Sequence, residues 1–138
     1  MSENTNIEIA RRILAAFDAN DDSVVDELIH PDHREHAGPE PQPGRKGVRG
    51  SIAWLNETFA GCETVVEDLI ASGDRVVARV RFCATCTGEV QGIDARGRRV
   101  EVDHIHVWRV AEGRLAEHWM VRDDLSMLRQ LGAAEAAA

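Results

Sequence analysis

The stretch HIHVWRVAEGRLAEHWMVRDDLSMLRQLG, residues 104–132, decides the fold. Apolar and polar residues alternate from Val100 to Val110 and again from Leu115 to Arg122. That period of two marks β-strands, because successive strand side chains point to opposite faces. Val100, Val102, His104, His106, Trp108 and Val110 therefore share one face, and Glu101, Asp103, Ile105, Val107 and Arg109 the other. Between the two runs, Glu112-Gly113 supplies the glycine that a tight hairpin turn favours. With Ala111 facing Arg114 and Val110 facing Leu115, an unbroken register puts His106 opposite Trp119 and His104 opposite Val121, with Asp123 one diagonal step beyond. His104, His106, Trp119, Val121 and Asp123 are thus expected on one face and His118 on the other. A turn of odd length would invert this parity.

Working outward, Thr64–Ala71 and Arg75–Cys86 also alternate with a period of two, separated by Gly73-Asp74, and the segment from Gly88 to Gly97 joins the second of them to Arg99. Upstream the period is helical. Thr5-Asn6-Ile7-Glu8 has the spacing of a capping box, and Ile7, Ala10, Leu14 and Phe17 recur at helical intervals. Ser23–Ile29 reads as a second short helix that stops before Pro31, since the residue preceding proline avoids the helical region. All 4 prolines fall between Pro31 and Pro43, which predicts a loop over one mouth of the fold. Val48, Ile52, Leu55 and Phe59 mark a third helix, and Leu125–Leu131 a last one that Asp123 or Asp124 could cap. Helices first and antiparallel strands afterwards give an α+β domain over residues 1–132, with N-terminal helices wrapped by a curved, mostly antiparallel sheet. The alanine-rich 133–138 is expected to be a disordered tail.

A chain of 138 residues supports one hydrophobic core. Its 16 basic and 24 acidic residues leave a net charge of −8, which repels phosphate backbones and anionic lipid. Nucleic acid and membrane partners are therefore not expected. The polar first residues and the odd count of 3 cysteines point to a cytoplasmic protein with reduced thiols. Cys83 and Cys86 form a CxxC, but residues three apart on a strand face opposite ways, so both are read as buried apolar groups rather than a redox or zinc pair.

The order of helix, His30-Pro31-Asp32, Pro/Gly loop, helix, GDRVVARVRF (73–82), GRRVEVDHIHVWRVAEGRLAEHW (97–119), Asp123 and LRQLG (128–132) resembles the SnoaL-like polyketide cyclases of the nuclear-transport-factor-2-like (NTF2-like) superfamily. The likeness runs from Ile7 to Gly132. It is most specific at Asp123 before the LRQLG tail, at His106 in an HxxR strand, and at His118 after the Gly113 hairpin. The resemblance implies a cone-shaped α+β barrel holding a flat aromatic polyketide, and acid/base ring closure of a polyketide ester by intramolecular aldol chemistry without a cofactor. It assigns Asp123 as the proton-abstracting carboxylate and His106 as a group that hydrogen-bonds substrate oxygen. His104 stands where the cyclases usually carry a glutamine, and Glu35 where they carry an asparagine. So ionisable a pocket would also suit the relatives that assist hydroxylation of an anthracycline ring system.

The expected catalytic set is therefore Asp123, His106 and His104. The expected substrate-lining set is Trp119 and Val121 on the same face, Glu35 and His36 from the loop, and Phe17 from the first helix. An aspartate in water is a weak base, but burial against Trp119 and Val121 would strengthen it. Three other readings stand beside this one: Asp123 as a helix cap, a three-histidine zinc site begun by His104 and His106, and a non-catalytic binding or dimerisation module. With His118 facing away, no complete ligand set forms, so no metal or cofactor is expected. A homodimer or homotetramer is expected from an open sheet face.

Overall fold

The computed structural model describes residues 2–38 and 42–132, so the tail at 133–138 and part of the proline loop lie outside the described residues. Helix α1 (Glu3–Asp18) begins earlier than the capping-box reading placed it. Ser2 rather than Thr5 is the cap, its hydroxyl accepting the Thr5 N–H at 3.1 Å. Ile9, Ala10, Ile13, Leu14 and Ala16 form the buried stripe of α1, at the spacing expected of a helix lying on a sheet. A single turn, α2 (Val25–Leu28), leads directly into a strand, β1 (Ile29–Glu35), and then comes α3 (Gly44–Thr58).

Strand β1 replaces the start of the expected loop. Pro31 does not exclude it, because β1 is the edge of the sheet, where a missing N–H costs no ladder bond. The remaining elements are β2 (Phe59–Ser72), β3 (Arg75–Cys86), a two-stranded arm of β4 (Glu89–Val90) and β5 (Ile93–Asp94), β6 (Arg99–Ala111), β7 (Arg114–Arg122) and α4 (Asp124–Gln130). The main sheet has the order β1-β7-β6-β3-β2, antiparallel except for the β1/β7 edge. Among the described residues no helix is long and apolar enough to cross a membrane.

Two apolar clusters cover the inner face of this sheet. One joins α1, α2 and α3 to Val76, Ala78, Val80, Trp108, Val110 and Leu115. The other joins Phe59, Phe82, Ala84, Val100 and Val102 to Met127 and Leu131 at the α4 end. On β6 the gap between them is occupied by His104 and His106. Burial of apolar surface therefore holds both ends of the inner face and leaves an imidazole stripe at the seam. Cys83 and Cys86 are buried free thiols whose pKa values burial pushes up.

Candidate active site

The β6–β7 turn has the length read from the sequence: Ala111 pairs with Arg114, and Glu112 (φ 54°) and Gly113 (φ 73°) both take the left-handed conformation of a two-residue hairpin turn. The register then shifts. Val110 pairs with Leu115 but Arg109 pairs with Glu117, so Ala116 is an extra residue, a β-bulge. Beyond it every partner moves by one: His106 faces Met120, His104 faces Arg122, and Trp108 faces His118. The expectation for His118 is thereby corrected, since it shares the inner face with His104 and His106.

Trp119, Val121 and Asp123 leave that face for the same reason. Trp119 pairs with Val107 on the outer face, where the His36 ring stacks on it at 5.0 Å and the Arg75 guanidinium lies 5.1 Å from its centroid. His36 also goes to the outer face, its Nε2 donating to Glu117 Oε2 at 2.6 Å. Val121 is 74% exposed. Asp123 is exposed too, and its carboxylate accepts the Ser126 N–H at 3.0 Å as the N-cap of α4. Phe17 packs on the helical cluster. Of the expected lining residues, Glu35 alone joins the imidazoles.

It does so through a chain of short hydrogen bonds. Glu35, at the end of β1, accepts from His118 Nδ1 at 2.6 Å and from the Ala37 N–H at 3.1 Å. His118 Nε2 lies 2.9 Å from His106 Nδ1. His33, 2% exposed, donates from Nδ1 to the carbonyl of Leu115 at 2.9 Å, beside the bulge, and places Nε2 3.2 Å from Glu35 Oε1. The His106 ring stacks on Trp108 at 5.1 Å with only 3° between planes, and His104 stacks on Phe82 at 5.6 Å. His106 Nε2 and both His104 nitrogens have no hydrogen-bond partner among the described residues. None of the three is among the described atoms sealed without a partner, which are Asn6 Oδ1 and Arg114 Nε.

Electrostatics sorts these groups into distinct states. Burial pushes the Glu35 carboxyl up, but the hydrogen bonds from His118, His33 and Ala37 outweigh it and bring the pKa down to about 2. Burial, and then the Arg122 charge, lower His104 to about 4. Burial, and then the neighbouring His118 and His104, hold His106 well below 6.5. The seam therefore contains two neutral imidazoles and one carboxylate two rings away. Among the described residues no group of three or more His, Cys, Asp or Glu is arranged to hold a metal ion. His106 and His118 each spend a ring nitrogen on the other.

Two predictions arise here. Since the fold holds His104 neutral, the unfolded chain takes the proton first. The stability this group contributes is intact above its unfolded value of 6.5 and is lost as pH falls through about 4. At about 1.4 kcal/mol per pKa unit, the loss attributable to His104 between pH 7 and pH 4 is about 3 kcal/mol. Urea unfolding at those two pH values should show a flatter dependence in His104→Gln than in the wild type by that amount; parallel slopes would contradict the assignment. The second concerns Asp123. Asparagine caps a helix nearly as well as aspartate, so Asp123→Asn should keep turnover within a few-fold and stability within about 1 kcal/mol. A hundredfold loss of kcat would instead support the proton-abstracting role of this carboxylate.

Residues 7–131 match the family described as SnoaL-like polyketide cyclase, and the chain belongs to that family of enzymes. Aklanonic acid methyl ester cyclase DnrD of Streptomyces peucetius is 28% identical over 134 residues, covering 94% of this chain and 92% of that protein. Nogalonic acid methyl ester cyclase of Streptomyces nogalater is 28% identical over 123 residues, covering 87% and 92%. Among solved structures, TsrD from Streptomyces laurentii superposes with a TM-score of 0.88 at 32% identity, covering 96% of this chain and 98% of that one. The helices on a curved sheet are thus the family's NTF2-like α+β architecture.

Proposed function

We propose that this chain closes a ring of an aromatic polyketide ester by an intramolecular aldol reaction, using acid/base groups of the protein alone. The observation that carries the reading is the imidazole seam: two histidines that burial keeps neutral, with unclaimed ring nitrogens, set between two apolar clusters. A C–H flanked by a ketone and an ester is already acidic, so a tuned base and an oxygen-directed donor are sufficient chemistry. His106 Nε2 removes that proton, the resulting enolate carbon attacks a ketone within the same molecule, and the new alkoxide is protonated from an imidazole. One C–C bond forms and no atom is gained or lost. His104, neutral and unpaired, can donate its N–H to the enolate oxygen.

Two relatives named as methyl ester cyclases, each covering most of this chain, support the ester class. The experiment is incubation of the purified protein with a tricyclic polyketide methyl ester, followed by chromatography and mass spectrometry. A product of unchanged mass and altered retention supports ring closure; a gain of one oxygen from a tetracyclic substrate supports the hydroxylase reading instead. We further propose a homodimer or homotetramer packed through the outer sheet face, where Ile105 is 47% and Val121 74% exposed beside Trp119. Sedimentation equilibrium would count the copies. The unpaired thiols fit a cytoplasmic setting.

A further inference from the structure

We propose that Arg122 is the anion-binding group of the site: oriented by Asp124 and standing across the strand pair from His104, its guanidinium receives the enolate oxygens of a β-keto ester. The proposal rests on the aldol reading above and deepens it by naming the residue that fixes which end of the substrate lies towards α4.

The shifted register brings Arg122 into the seam. It is the β7 partner of His104, and residues paired across antiparallel strands share a face. Its side chain is 29% exposed, at the rim of that face. Arg122 donates from Nε to Asp124 Oδ1 at 2.8 Å and from Nη2 to Asp124 Oδ2 at 3.4 Å. Those contacts fix the plane of the guanidinium and occupy one of its two forks. Nη1 has no hydrogen-bond partner among the described residues and is not among the sealed atoms. The second fork, formed by Nη1 and Nη2, can therefore give two parallel N–H groups to a flat anion. The pair is not what docks α4. Gln130 already accepts the Glu101 N–H and donates to the Glu101 carbonyl, both at 2.8 Å, and Met127 and Leu131 are buried in the second apolar cluster.

The chemistry of the reaction asks for such a group. When the C–H between a ketone and an ester loses its proton, the electron pair spreads onto the two carbonyl oxygens, which then resemble a carboxylate. Whichever group accepts the proton, that charge is best met by donors already in place, and Arg122 and the neutral His104 offer them from neighbouring strands. The guanidinium keeps its own charge throughout. Glu35, ionised and paired with His118, lies towards the other end of β7. The strand from His118 to Arg122 spans about 13 Å. A ligand lying over His104 and His106 thus meets negative charge at one end and positive charge at the other, which selects a single orientation for the enolate.

The test needs no turnover. Isothermal titration calorimetry at pH 7 and fixed ionic strength compares anthraquinone carboxylate, a flat probe ending in two anionic oxygens, with its uncharged carboxamide. Wild-type protein should bind the carboxylate at least about tenfold more tightly, although the net charge of −8 repels it. Arg122→Met should abolish that preference and leave the affinity for the carboxamide within about threefold, which also reports an intact fold. Asp124→Asn, whose amide oxygen can still accept from Nε, removes the competing charge and should widen the preference. On a polyketide methyl ester, Arg122→Met should lower kcat at least about tenfold, and Arg122→Lys, a cation without the fork, should recover only part of the loss. Equal affinities in the wild type, failure of both probes to bind, a preference that survives Arg122→Met, or one that narrows in Asp124→Asn would each overturn the proposal. Should the expected preferences appear while no ester is converted, the aldol reading fails and the anion site stands.

Discussion

His106→Asn is expected to lower kcat by about a thousandfold while leaving KM and the fold nearly unchanged. The side-chain amide of asparagine can place its nitrogen or its oxygen near the position of His106 Nδ1 and so donate to or accept from His118 Nε2, and the 2.9 Å link need not break. Nothing replaces Nε2. A positioned general base contributes roughly 10²–10⁴ in rate, and an interaction made only in the transition state is lost from kcat and kcat/KM alike. Wild-type activity on a methyl ester should hold down to well below pH 6.5, because His106 stays neutral there, and the variant should show only a low residual rate across the range. Turnover within tenfold of wild type at saturating substrate would remove His106 from the base role and leave His104 as the better candidate.

Asp123 lies off the face that carries His106 because of a bulge of one residue. Alternation made β3 and β6 legible to within a residue, because β6 alternates along its whole length and β3 does so as far as Phe82, beyond which Cys83 is buried as well. The turn at Glu112-Gly113 was legible from its glycine. Past it, Leu115, Trp119 and Val121 sit at odd positions and look like one apolar face, but the inserted Ala116 puts Leu115 inside and the other two outside. In the structure Leu115, Ala116 and Glu117 are buried in succession, and burial is a property of the fold rather than of the letters. Similarly, His33 was hidden, and Glu35 was placed on a loop rather than a strand, by prolines that suggested a loop; a parallel edge strand tolerates Pro31, and Glu35's partner His118 is 83 residues away in the chain. Local periodicity locates faces, and it fails where a long-range pairing absorbs an extra residue.

Trp108→Ala should be the most destabilising single change among the groups around the seam, by about 3–5 kcal/mol, which in a domain of this size lowers Tm by roughly 10–20 °C. Trp108 is 4% exposed and belongs to the cluster formed by α1, α2, α3 and the sheet, so its removal opens a cavity that those helices cannot collapse to fill. Its indole is also the flat wall against which His106 and His118 stack, at 5.1 Å and 5.2 Å. Without that wall the two rings can tilt, and the Nδ1-to-Nε2 bond that orders them loses its geometry. Phenylalanine restores part of the wall. Trp108→Phe should therefore recover at least half of the lost stability and most of the turnover, whereas Trp108→Leu, which refills less of the cavity and has no ring, should recover a smaller part of the stability and leave kcat depressed. Thermal unfolding and kcat measured on the same three variants separate the packing of the core from the orientation of the base. If kcat merely tracks Tm through all three, the ring contributes packing and nothing to the alignment of His106.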